Sequence, residues 1–323
     1  MTDGLNIDRV AAALQAIDGL TVAVSEPMAK HTSLGVGGPV DLLVRADRED
    51  ALTQALQLFD RESCPWLAAG SGTNLLVTDD GIEGVVLTLG GEFDALRMER
   101  FTGGPQVVAG ASVTVARLLR EVEAANTWGL EFLTGVPGTV GGALRMNAGT
   151  RHGYVDSALV EARIQSATVA EWRPAVTLGL SYRGCTLPAG ELFVAARFAL
   201  SDGRPDMAKR IAADLATTRR LRHPPMAGTA GSFFKNPDIA AGLFAGMLIE
   251  KTGLKGYTHG GALVSPVHAN FLSNGGTATA TELLELAEHV RAEVERETGV
   301  RMSPEVRIVG RSAAAWRVRL GAD

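Results

Sequence analysis

Residues 228–237 read Gly-Thr-Ala-Gly-Ser-Phe-Phe-Lys-Asn-Pro. They place a hydroxyl (Ser232), a cation (Lys235) and a carboxamide (Asn236) within five residues, between a glycine turn and a proline stop. Gly231 weakens regular structure and Pro237 removes a backbone donor, so the stretch reads as a shaped loop. Polar side chains around two phenylalanines suit a pocket with an apolar floor, with Ser232 presented to a ligand and Lys235 or Asn236 fixing its orientation. The same residues also suit an ordinary turn in which Ser232 and Asn236 satisfy neighbouring backbone groups.

Three other stretches carry chemistry. Gly70-Ser71-Gly72-Thr73-Asn74 follows a short apolar run. Successive backbone N–H groups there can converge on an anion, and Ser71, Thr73 and Asn74 add neutral donors that suit a diphosphate. It matches neither the P-loop nor the dinucleotide fingerprint, and a plain hairpin turn fits it too. Between Gly129 and Gly149 lie six glycines, including Gly135, Gly138, Gly141 and Gly142, interleaved with apolar residues, Pro137 and Asn147. That density suits close approach to a flat ligand better than a polar linker. Arg183, after Tyr182, is a fixed cation able to bind a carboxylate with two donors, or a surface arginine. Glu305 is either part of a solvated strand face or points into the pocket that Ser232 faces.

The elements that must position these groups follow from periodicity. After an N-terminal helix, the turn-rich His31–Pro39 leads to an alternating strand over Val40–Val44. A helix follows, with Asp47 as its cap and Leu52, Leu56 and Phe59 as its buried stripe. Strands are expected over 66–69, 75–77, 84–89, 106–111, 158–164 and 193–198. Ser112 is expected to open a helix with Val115, Leu118, Leu119 and Val122 on one face. Met207, Ile211 and Leu215 mark a helix over 206–222, and another runs from about Ala240 to Thr252. Thr279 and Glu282 have capping-box spacing ahead of a helix carrying Leu283, Ala287, Val290 and Val294. Residues 304–309 alternate as a strand, with Glu305 and Arg307 opposite Val306 and Ile308.

With 323 residues, 46% of them hydrophobic and 21% charged, the chain is globular and long enough for two or three domains. A net charge of −5 offers no basic footprint for nucleic acid. Cys64 and Cys185 fit no metal-ligand spacing and suit a reducing compartment. No signal peptide and no membrane-length apolar run is evident, so a soluble cytoplasmic protein is expected.

Taken together and in order, these motifs resemble the UDP-N-acetylenolpyruvoylglucosamine reductase family. The resemblance runs from about His31 to Gly310. It is carried by His31–Gly38, Gly70–Asn74, Gly129–Gly149, Tyr182-Arg183, Gly231–Pro237, His268-Ala269-Asn270-Phe271 and Pro304-Glu305-Val306. It implies an α+β fold: a vanillyl-alcohol-oxidase-type FAD-binding region in two subdomains over 1–202, divided near 90, and a smaller α+β substrate-binding domain over 203–323. FAD contacts map to Gly70, Ser71, Gly72, Thr73, Asn74, Gly135, Pro137, Gly138, Gly141, Gly142 and Asn147. Arg183, Ser232 and Glu305 map to the catalytic residues, and Tyr182, Lys235 and Asn236 to substrate binding.

The implied reaction reduces UDP-N-acetylglucosamine enolpyruvate with hydride from NADPH by way of FAD, in peptidoglycan precursor synthesis. Arg183 would neutralise charge developing on the substrate carboxylate, and a protonated Glu305 would donate a hydrogen bond to it, which calls for a raised pKa. Ser232 would protonate the adjacent carbon, helped by Lys235. The stretch between Arg183 and the next strand is too short for the tyrosine-bearing insertion of some members, and Ser303 stands where many have a second acid. The alternatives are a sugar or alditol oxidase of the same fold, disfavoured because His31, His152 and His223 fit no covalent flavin motif, and a non-catalytic nucleotide-binding protein. No metal and no obligate protein partner is implied.

Overall fold

The computed structural model describes residues 6–203 and 205–322. The chain divides into two compact units. One comprises Met1–Val24, Leu42–Gly70 and Gly84–Arg219, and the other Ser25–Asp41, Ser71–Glu83 and Arg220–Asp323. A single cut at 202/203 therefore does not describe the compact units, because two early segments belong with the C-terminal third.

In the first unit the helix Glu49–Arg61 buries Leu52, Ala55, Leu56, Leu58 and Phe59 against the helix Ile7–Gln15 and the strand Trp66–Ala68, which runs parallel to Ile82–Leu89. Its N-terminus is not capped by Asp47, whose carboxylate pairs with Arg45 at 2.9 Å. The Glu49 N–H instead donates to the Glu92 carboxylate at 2.9 Å, a cap supplied from a distant turn. An antiparallel sheet runs in the order Ala170–Pro174, Leu159–Gln165, Leu192–Ala199, Gly104–Gly110, Leu96–Phe101. Against it pack the helix Val115–Ala124, capped by Thr114 rather than Ser112, and the short helix Val140–Arg145. Thr114 serves because its Oγ1 reaches the Arg117 N–H at 3.2 Å.

The helix Asp206–Arg222 has the bounds its spacing implies. Beyond it, the second unit is built on the helix Ala280–Thr298, whose capping box joins Thr279 and Glu282 as expected. Asp79 adds a second cap: its carboxylate accepts from the Ala280 and Thr281 N–H groups at 2.9 and 2.8 Å. The apolar stripe of this helix packs with Leu76, Phe233, Phe234, Leu248, Ile249, Val306 and Ile308 into one core. Leu75–Val77 pairs in parallel with Arg307–Val309, joining two distant stretches. The helix expected from Ala240 is confined to Ala245–Lys251, because Asp238–Leu243 closes a bridged turn with Gly242 at φ 71°.

Candidate active site

In the second unit Phe233 and Phe234 are 1% and 0% exposed. They form core rather than a pocket floor, and they anchor the preceding residue, Ser232. The chain on either side of them is hydrogen-bonded to the segment bearing Glu305. The Glu305 and Val306 N–H groups donate to the Phe233 carbonyl at 2.7 and 3.3 Å, and the Lys235 N–H donates to the Ser303 carbonyl at 2.9 Å. Asn74 clasps the same segment: its Nδ2 donates to the Glu305 carbonyl at 3.1 Å, and its own carbonyl accepts from the Arg307 N–H at 3.0 Å. Ser232 and Glu305 are thus brought to adjacent backbones, both half-buried. Among the described residues the Ser232 hydroxyl has no hydrogen-bond partner, which leaves it available to a ligand. The Asn236 carboxamide accepts from the Ala245 N–H at 3.1 Å and so opens the following helix. The turn that begins at Gly231, with φ 79°, is open around its Cα, and only its backbone conformation calls for glycine.

Asn270, 2% exposed, is a residue that the motif reading used only for resemblance. Its carboxamide accepts from the Phe234 N–H at 2.9 Å and donates to the Phe234 carbonyl at 2.8 Å, while its backbone carbonyl takes the Phe233 N–H at 2.7 Å. His268 Nδ1 accepts from the Asn270 N–H at 3.2 Å. Burial, with Lys255 adding nearby positive charge, holds His268 below the ordinary histidine range. It is therefore neutral at pH 7, with Nδ1 free to accept.

Arg183 lies in the first unit, at the third position of the turn Ser181–Gly184, with φ 58°. That position of a tight turn favours glycine, and a side chain there is strained. The strain is held by tertiary bonds. The guanidinium donates to the Gly149 carbonyl at 3.4 Å and lies 5.4 Å from the Tyr182 ring centre. Asn147 Nδ2 donates to Ser181 O at 3.2 Å and to Asp156 Oδ2 at 2.9 Å, and Arg145 Nη1 donates to Cys185 O at 3.0 Å. The turn bearing Tyr182 and Arg183 is thereby fixed to residues 145–149.

The two glycine stretches differ in what they can offer an anionic cofactor. The amides of residues 70–73 have no acceptor among the described residues, and neither do the hydroxyls of Ser71 and Thr73. Gly72, at φ 63°, lies so close to the His31 carbonyl that a Cβ would collide with it. Its carbonyl takes the Ser33 N–H at 3.2 Å. A Cβ on Gly70 would strike Thr139 Oγ1, which brings that end of the loop against the second stretch. These are the features of an amide nest for a diphosphate, and they fit FAD. In the second stretch the Val140, Gly141 and Ala143 amides are bonded to Val113 O, Ala111 O and Thr139 O, and Gly142 N–H donates to Thr139 Oγ1. The amides of Gly138 and Thr139, ahead of the helix, have no such partner among the described residues. Asn147 spends its carboxamide on Asp156 and Ser181, so its side chain shapes the site.

Known proteins resemble the chain along most of its length. Residues 40–170 match the family model described as FAD binding domain. Residues 223–309 match that described as UDP-N-acetylenolpyruvoylglucosamine reductase, C-terminal domain. The UDP-N-acetylenolpyruvoylglucosamine reductase of Geobacter metallireducens is 42% identical over 94% of this chain and 99% of its own. That of an Anaeromyxobacter species is 41% identical over 88% of this chain and 87% of its own. The crystal structure of the Thermus caldophilus enzyme superposes with a TM-score of 0.75 at 32% identity, covering 90% of this chain and 98% of that one. The α+β flavin-binding fold expected from the motifs is therefore present, and the chain belongs to the UDP-N-acetylenolpyruvoylglucosamine reductase family.

Proposed function

We propose that the chain reduces UDP-N-acetylglucosamine enolpyruvate to UDP-N-acetylmuramate, with NADPH as reductant, FAD as resident cofactor and Arg183, Ser232 and Glu305 as the catalytic residues. The observation that supports the residue assignment is the bond from the Glu305 N–H to the Phe233 carbonyl, which joins the backbone bearing Glu305 to that next to Ser232, whose hydroxyl no described residue engages. When bound, FAD supplies the two-electron chemistry, taking hydride from NADPH and giving it to the terminal carbon of the enol ether. Residues 70–73 would hold its diphosphate on amides and hydroxyls that no described residue engages, with the Gly138 and Thr139 amides as further donors, while the Asn74 carboxamide is bonded to the Glu305 carbonyl instead. Gly135, Pro137, Gly141, Gly142 and Asn147 shape the surface that its ring system meets.

Hydride addition at one end of the double bond leaves negative charge at the other, delocalised into the adjacent carboxylate. The Arg183 guanidinium neutralises that carboxylate, and its tethered turn orients it beforehand. Glu305 in its protonated form donates a hydrogen bond to the same group, since an ionised carboxylate there would repel it. Ser232 Oγ gives its proton to the carbanionic carbon, which completes net addition of H⁻ and H⁺. Lys235, three residues on, lowers the cost of the resulting alkoxide. Tyr182 and Asn236 would line the sugar nucleotide.

Stopped-flow kinetics on Ser232→Ala tests this assignment. Transfer from reduced flavin to the enolpyruvyl substrate should slow by about 10² to 10⁴, while flavin reduction by NADPH stays near the parent rate. Equal slowing of both half-reactions would reduce Ser232 to a binding or folding role.

A further inference from the structure

We propose that Asn270 is a positioning residue of the reductase: its carboxamide holds the Phe233–Phe234 peptides in register and so fixes the directions from which Ser232 and Glu305 approach the substrate. The inference rests on the roles given above to those two residues. One buried side chain closes a two-bond pair with the Phe234 amide and carbonyl, and the same residue's carbonyl takes the Phe233 N–H. Phe233 passes the constraint on in both directions. It is covalently next to Ser232, and its carbonyl bears the Glu305 and Val306 N–H groups. Displacement of Asn270 thus moves the proton donor and the carboxyl together.

Only asparagine meets these demands. Aspartate could accept from the Phe234 N–H, but it would set a carboxylate oxygen against the Phe234 carbonyl. Glutamine adds a methylene to a filled core, and serine is too short to span both groups. A second layer supports the clamp, since His268 Nδ1 takes the Asn270 N–H and leaves the imidazole proton on Nε2. His268 is packed on the His223 and Phe271 rings, and Lys255 and Glu250 are the charged groups acting on it.

The test uses the FAD-loaded full chain under anaerobic stopped flow, with UDP-N-acetylglucosamine enolpyruvate as oxidant of the reduced flavin. Asn270→Ser should slow that oxidation by about 10- to 100-fold, the cost of misplacing reacting groups by a fraction of an ångström to an ångström. It should leave reduction by NADPH within about 2-fold. In a Ser232→Ala/Glu305→Gln background the same substitution should cost less than about 3-fold, because the groups it positions are gone. Asp79→Ala, which removes a helix cap elsewhere in the unit, should lower stability and spare both rates. If Asn270→Ser slows both half-reactions alike, or keeps its full effect in the double-variant background, Asn270 is merely structural and the inference is overturned. If Ser232→Ala leaves the oxidation unchanged, the site reading itself fails and takes the inference with it. Should Asn270→Ser not fold, Asn270→Asp, which keeps one of the two bonds, is read by the same two rates and the same background.

Discussion

At the scale of the residue, Arg183 shows the cost of placing the group proposed to neutralise the substrate carboxylate. Its φ of 58° is one that a side chain adopts at a penalty of about 1–2 kcal/mol, and the bonds from Asn147, Arg145 and the guanidinium itself hold the turn there. Arg183→Gly should therefore keep the melting temperature within a few degrees of the parent or raise it, while substrate reduction falls by about 10³ or more. A large loss of stability in calorimetry would show that the guanidinium is structural. Arg183→Lys keeps the charge but loses the two-donor fork, and should retain only a small part of the activity. Ser232, Arg183 and Glu305 stand out in the sequence as candidates because a hydroxyl, a guanidinium and a carboxyl announce chemistry by type. Asn270 does not, since a carboxamide reads alike whether it is exposed or clamping a peptide thirty-odd positions away. The left-handed conformation of Arg183 is likewise imposed by contacts that residue type does not encode.

At the scale of the element, local signals succeeded where the partner lay close in sequence. The capping box at Thr279 and Glu282 and the bounds of Asp206–Arg222 follow from spacing alone. Asp47 failed as a cap because Glu92, folded back from a later turn, reached the first amide of the helix instead. Residues 304–309 alternate in burial as expected, yet only Arg307–Val309 is strand, because Pro304 forms an isolated bridge with Phe234 and the chain turns there to present Glu305. Asp79 makes an element-scale prediction. Its carboxylate takes two N–H groups and the Thr281 hydroxyl at the start of the helix that carries the second core. Asp79→Ala should cost about 1–2 kcal/mol in denaturant unfolding, with flavin reduction unaffected. An unchanged midpoint would mean that Thr279 and Glu282 suffice.

At the scale of the whole molecule, the sequence led to an α+β flavoprotein but to a division in two consecutive pieces. The compact units are interleaved because Leu75–Val77 pairs with Arg307–Val309 and because Asp79 caps a helix two hundred residues on. No composition shift or linker marks pairings of that range. The most direct measurement of the central claim follows NADPH absorbance with purified, FAD-loaded protein in air, with and without UDP-N-acetylglucosamine enolpyruvate, while assaying peroxide. The account predicts rapid consumption equal to the substrate added and only slow background without it. Sustained consumption that is indifferent to that substrate and yields peroxide would contradict it.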